Sequence, residues 1–183
     1  MFAVHARYRG REARRADLVK RSAEALSTLD GVGEFELLGV EDIRAVVDSP
    51  RAVCDTIMAL LSDGNWAIGV GLAPAEDGAR REATASISRT ARAGIVYVKQ
   101  QASGTLADDI AATFALLGHV LSKRTIEGRE ATSLVRSGLN QNEAAEVLGI
   151  SKQAMSQRLQ AAGWQAETAG WQLAVNLLSQ AES

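Results

Sequence analysis

The chain has little of what builds a chemical centre. Its 183 residues include one cysteine, Cys54, and two histidines, His5 and His119, set far apart. A lone cysteine excludes an intramolecular disulfide framework and a cysteine-cluster zinc site. Two distant histidines argue against a histidine-based metal site, so neither a cofactor nor a metal is expected. No Gly-x-Ser-x-Gly or other nucleophile signature is present, nor any internal repeat or low-complexity segment. The longest nearly uninterrupted apolar run, Trp66 to Ala75, is about half of what a membrane helix needs. The first ten residues carry His5, Arg7 and Arg9 and no apolar stretch, so a signal peptide is not expected. Neither sign of charge dominates: 20 Lys+Arg stand against 22 Asp+Glu, a net charge of -2. A nucleic-acid binder with that balance must concentrate its positive charge locally. The scarcity of cysteine points to the cytoplasm.

What remains is a globular composition, 46% hydrophobic and 23% charged, which excludes wholesale disorder. Phe2 to Tyr8 reads as a strand. From Arg14 to Leu29 the period lengthens, with Leu18, Ala25, Leu26 and Leu29 on one helical stripe. Val32 to Leu38 and Ile43 to Val47 suggest a hairpin around Gly39-Val40-Glu41-Asp42. Ser49-Pro50 marks a helix start, serine as cap and proline in the first turn, and that helix runs to about Ser62 with Gly64 as its stop. Trp66 to Leu72 reads as a buried strand whose Gly69 and Gly71 allow a close approach of other backbone. Within Arg80 to Gln100 a helix and a short strand at Ile95 to Val98 are expected. Strand-helix-strand-strand-helix-strand is the ferredoxin-like, split βαβ order. It predicts an antiparallel sheet with helices on one face.

The polar stretch Gln100-Gln101-Ala102-Ser103-Gly104 marks a boundary. The expected fold class is therefore α+β: an α+β domain over 1–101 and an all-helical domain over 105–183. Thr105 and Asp108 resemble a capping box ahead of a helix with Leu106, Ile110, Phe114, Leu117 and Leu121 on one face. Trp66, Cys54 and His119 are expected in or near the core.

The most informative stretch is 126–162. A helix from Ile126 to Ser137 stops at Gly138. Asn140, with Glu143 three residues on, caps a short helix from Gln141 to Leu148. Gly149 ends it, Ile150 fills the turn, and Ser151 caps a third helix from Lys152 to about Ala162. Met155, Leu159 and Ala162 face inward, whereas Gln153, Ser156, Gln157 and Gln160 share the outer side. Two helices joined by a short turn, with alanines where they cross, make a helix-turn-helix. A face of amides and hydroxyls suits the major groove, since glutamine pairs bidentately with adenine and serine bonds several base edges. Lys152 and Arg158 flank that face and suit phosphates, as do the N–H groups of the first turn after Ser151. The bland alternative is a helical hairpin with a solvated face. The coincidence of caps, glycine, turn hydrophobe and polar stripe favours double-stranded DNA as the partner.

The run LNQNEAAEVLGISKQAMSQRLQAAGW (139–164) resembles the helix-turn-helix of sigma-factor region four. The whole chain resembles small actinobacterial proteins of the SatD-like or MarR-like kind, which join such a module to an N-terminal domain. The resemblance implies a cytoplasmic, nucleoid-associated transcriptional regulator that is not an enzyme. It also implies that the N-terminal domain is a reduced nucleotidyl-cyclase-like fold. In such cyclases two carboxylates hold magnesium, which demands hard oxygen ligands. Here the first position falls at about Arg7 and the second near Glu41-Asp42, so a salt bridge is expected in place of a metal site. The basic run Arg7, Arg9, Arg11, Arg14, Arg15, Lys20 and Arg21, against Glu12 and Asp17, reads best as a solvated face. A DNA-backbone contact or an anion or nucleotide pocket around Arg9-Gly10-Arg11 is the alternative. The rival functions are a nucleotide-responsive signalling protein and an adaptor that grips RNA polymerase. A homodimer is expected, either through a last helix from Gln165 to Gln180 offering Trp171, Ala174, Val175 and Leu178, with Gly170 admitting a second helix, or through the N-terminal head, since the cyclases it resembles pair by that domain.

Overall fold

The computed structural model describes residues 1–102 and 104–182. Ser103, in the expected boundary stretch, and Ser183 lie outside the described residues. The protein is a mixed α+β structure. β1 (Phe2–Tyr8) and a fourth strand (Trp66–Leu72) have the bounds that their patterns predict. A five-stranded sheet runs in the order β2 (Glu36–Leu37), β3 (Asp42–Val47), β1, β4 (Trp66–Leu72), β5 (Val96–Gln100). β1 lies antiparallel between β3 and β4, with Ala6 opposite Ile43 on one side and Ile68 on the other.

The expected antiparallel sheet is corrected at one edge, where β5 pairs parallel with β4, making the sheet mixed. Between them α3 (Glu76–Ser86) carries the chain back across the sheet, as a parallel pair requires. The expectation of helices on one face falls with it. α1 (Arg15–Leu26) and α2 (Pro50–Asp63) share a core with Phe2, Val4, Ala6 and Tyr8. α3 lies on the opposite face, where its Ala79 and Ala83 meet Ala3 and Ala73. The two glycines of β4 make this possible. A Cβ on Gly71 would stand 2.0 Å from the Ala79 carbonyl oxygen, and one on Gly69 2.5 Å from that of Ala83.

α4 (Leu106–Ser122) and α8 (Trp164–Glu182) do not form a separate core with the other C-terminal helices. Ile110, Phe114 and Leu117 of α4 and Ala174 and Leu178 of α8 are buried with Val53 and Ile57 of α2 and with Trp66, Ile68 and Val70 of β4. Gly170 admits a close helix, as its size suggests, but that helix is α4 of the same chain: a Cβ there would meet a Leu117 methyl at 2.7 Å. Trp171 is likewise held at home. Its indole N–H donates to Asp55 Oδ1 at 2.9 Å, and the Arg51 guanidinium lies 4.7 Å from the ring centre. The capping box at Thr105 is absent, because that residue has near-helical angles (φ -94, ψ -4) and makes no side-chain cap bond, whereas a cap needs extended backbone. Cys54 and Trp66 are buried as expected; His119 is exposed. Among the described residues no helix is long and apolar enough to cross a membrane.

Candidate nucleic-acid interface

Three helices form a second, smaller core: α5 (Ile126–Arg136), α6 (Gln141–Leu148) and α7 (Lys152–Ala161). Ala131, Ala144, Ala145, Met155 and Leu159 are buried together, with Leu134, Val135, Leu148, Ile150 and Trp164 packed around them. The start of each helix is fixed by a side chain. Thr125 accepts from the Gly128 N–H at 3.2 Å. Asn140 accepts from the N–H groups of Asn142 and Glu143, while Glu143 accepts from the Asn140 N–H at 2.8 Å, completing the reciprocal box. Ser151 accepts from the Ala154 N–H at 3.1 Å. Gly149, with φ 63, ends α6 in the left-handed conformation that favours glycine. The Ile150 N–H then returns to the Ala145 carbonyl at 3.0 Å. Caps of this kind are each worth about 1 kcal/mol, and here they fix where α7 begins and therefore which residues it turns outward.

With Met155, Leu159 and Ala162 buried, the other side of α7 faces solvent. Ser151, Lys152, Gln153, Ser156, Gln157 and Gln160 are all exposed, and Arg158 is half-buried. The Glu127 carboxyl of α5 lies below its usual range, first through its own backbone N–H, then through the Thr125 hydroxyl, with Arg158 adding to the effect. An open groove of about 470 Å³ runs beside this face, lined by Gln141, Ser156, Gln160 and Gln165 among others. Over 126–162 the charges are Arg129, Arg136, Lys152 and Arg158 against Glu127, Glu130, Glu143 and Glu146, four minus four. Local positive charge on the outer face therefore rests on Lys152 and Arg158.

Sequence reasoning missed what anchors this unit. Glu167, at the start of α8, is buried and takes hydrogen bonds from both Arg124 and Arg136. Arg124, itself only 3% exposed, also donates from Nε to the Ala162 carbonyl at 2.8 Å. Ala162 is the C-cap of α7. A buried carboxylate needs this pairing, because leaving it unpaired would cost several kcal/mol. The signal was present: Glu167, Trp171, Ala174 and Leu178 are spaced i, i+4, i+7, i+11, so a charge stands on the inward stripe.

In the N-terminal half the salt bridge expected of Arg7 is formed with Asp42. Asp42 Oδ1 accepts from Arg7 Nε at 2.6 Å and lies 2.8 Å from His5 Nε2. Glu41 pairs with Arg15, and Arg9 donates to the carbonyls of Arg89 and Ala91. These arginines are tied down by the fold. Among the described residues no group of three His, Cys, Asp or Glu side chains is placed to hold a metal ion. Comparison of the chain with protein-family models, curated proteins and solved structures finds no match.

Proposed function

We propose that the protein binds double-stranded DNA in a sequence-dependent way and acts as a transcriptional regulator, reading the major groove with α7. The observation that carries this is the outer face of α7: a capped helix on its own small core, presenting the exposed amide and hydroxyl side chains of Gln153, Ser156, Gln157 and Gln160 beside Lys152 and Arg158. Lysine at the start of a helix opposes the helix dipole and suits a phosphate bound there. Gln153 and Gln157 are the base readers in this account, with Ser156 and Gln160 beside them. Ser151, Lys152 and Arg158 hold phosphates, the first through the free N–H groups of the turn it caps.

The N-terminal half belongs to the same proposal as a ferredoxin-like, cyclase-derived head. The β2-β3-β1-β4 order and the placement of α1 and α2 on one face support that reading, with α3 and β5 as an addition. The head carries no chemistry in this account, because the one aspartate near the cyclase position is engaged by Arg7 and His5. The chain works as a homodimer in the cytoplasm, associated with the nucleoid, since one reading helix covers too few base pairs for the contacts of a specific regulator.

Two substitutions test the interface on sites selected from random duplexes. Gln157→Ala should cost about 1–3 kcal/mol on the selected site and relax its preference. Lys152→Gln should weaken all sequences alike and flatten the log–log salt slope by roughly 0.9, the value per neutralised phosphate. Unchanged affinity and slope in both variants would remove α7 as the reader.

A further inference from the structure

Three arginines converge where the three-helix unit meets the rest of the chain. Arg124, following α4, and Arg129 and Arg136, on α5, line a cleft of about 250 Å³ with Ser62, Thr132 and Ser133. None of the lining residues is an acid. Among the described residues, the carboxylate paired with these arginines is Glu167, shared by Arg124 and Arg136. Against three positive charges stand that carboxylate and, at Ser62 and Ala162, the carbonyl ends of α2 and α7, so a net positive charge remains. Among the described residues Arg129 has no ion pair, and its bond is from Nη1 to the Ser62 carbonyl at 3.1 Å.

A guanidinium carries five N–H donors in a rigid fork. Arg124 spends three donors, on the Ala162 carbonyl, Thr132 and Glu167, and its side chain is buried. Arg129 and Arg136 each spend one bond and are exposed, and the exposed Ser133 hydroxyl adds a further donor. Such forks match a phosphate bidentately. The cleft is below the roughly 300–1,000 Å³ of sites for drug-sized ligands, so it fits a phosphate group with a small remainder. The geometry points to a binding site for a small phosphate-class oxyanion, gripped by Arg129, Arg136 and Ser133 between the C-terminal end of α2 and the side of α5. Because Arg124 in its floor also holds the C-cap carbonyl of α7, an occupant bears on the end of that helix. The site goes beyond DNA reading and does not depend on it.

The test is a titration of the full chain with inorganic phosphate, referred to sodium chloride at equal ionic strength. Arginine Nε–H resonances and Tm are both followed. The expected result is saturable shifts at Arg124, Arg129 and Arg136, with a dissociation constant on the order of millimolar and a Tm that rises with occupancy. Arg129→Gln should weaken phosphate binding roughly tenfold, the loss of one charge-assisted pair, while leaving the phosphate-free Tm unchanged. Ser133→Ala should weaken it by a smaller factor, also without unfolding. No response beyond that to chloride would overturn the proposal, as would Arg129→Gln binding phosphate as tightly as the parent. Shifts produced by duplex DNA and not by phosphate would make the cleft a strand contact and overturn it too.

Discussion

His5 is buried with both ring nitrogens engaged, Nε2 with Asp42 Oδ1 at 2.8 Å and Nδ1 with Thr84 Oγ1 at 3.0 Å. Arg44 donates to the same Thr84 oxygen, which leaves the threonine hydrogen free to reach Nδ1. The neutral ring, protonated on Nε2, satisfies every group in this chain of bonds. Burial pushes the imidazole below its usual pKa of 6.5, against the pull of Asp42 and with smaller help from Arg7 and Arg44. The unfolded chain therefore takes up a proton near pH 6.5 while the folded one resists. Stability from this residue is complete above pH 6.5 and declines as pH falls toward the lower folded value, by at most about 1.4 kcal/mol per pH unit. Urea midpoints measured from pH 7.5 to 5.5 should fall in the native chain and fall less in His5→Gln; parallel curves would contradict the assignment. At this scale the sequence was legible where a residue acts alone, as with Asn140, Ser151 and the outward glutamines. It was opaque where two distant residues meet: nothing near Glu167 in the chain indicates Arg124, and nothing near His5 indicates Thr84.

Elements with one dominant signal could be read to the residue, as β1 and β4 were, or to within one, as α2 was. β1 and β4 have strong apolar patterns, and α2 has serine, proline and glycine at its ends. α3 starts earlier than its periodicity suggests, at Glu76, because Gly78 and a run of charges mask the two alanines that face the sheet. Those alanines matter only because Gly69 and Gly71 lie beneath them, a pairing that no single stretch of sequence reveals. Gly71→Ala forces the α3 backbone away from β4. It should cost at least about 2 kcal/mol as overpacking and lower Tm by roughly 4–8 °C for a chain of this length. Gly39→Ala, in the hairpin, meets no neighbouring atom within 4 Å but has a φ of 148, so its cost comes from backbone strain alone. Equal melting of Gly71→Ala and the parent would mean that α3 sits further from the sheet.

For the molecule as a whole, the polar stretch before α4 suggests two consecutive domains, yet the helices on either side of the three-helix unit return to the sheet's core. Linear composition cannot show that return, because α4 and α8 have apolar faces that would suit any partner. Removing α8 therefore exposes Phe114, Leu117 and the α2 surface together. Leu178 alone buries a side chain worth about 1.5–3 kcal/mol. A chain ending at 163 should lose its cooperative thermal transition. The intact chain should sediment as a dimer at micromolar concentration, placing two α7 helices roughly 34 Å apart on DNA. Trp171 is committed to Asp55 and Arg51, so Trp171→Phe should leave that dimer intact. A monomer over the whole concentration range, with an unchanged footprint on DNA, would end the dimer claim.

The late position of α8 also sets an order of events during folding. The three-helix core joins residues close together in the chain and can assemble early. The sheet's core remains open until α8 arrives, because Ala174 and Leu178 complete it. Contacts between α8 and α2, such as Trp171 with Asp55, span 116 residues, and such long closures are slow. Until α8 docks, the three-helix unit stands beside an unfinished body, whose uncovered apolar face is what a chaperone would engage.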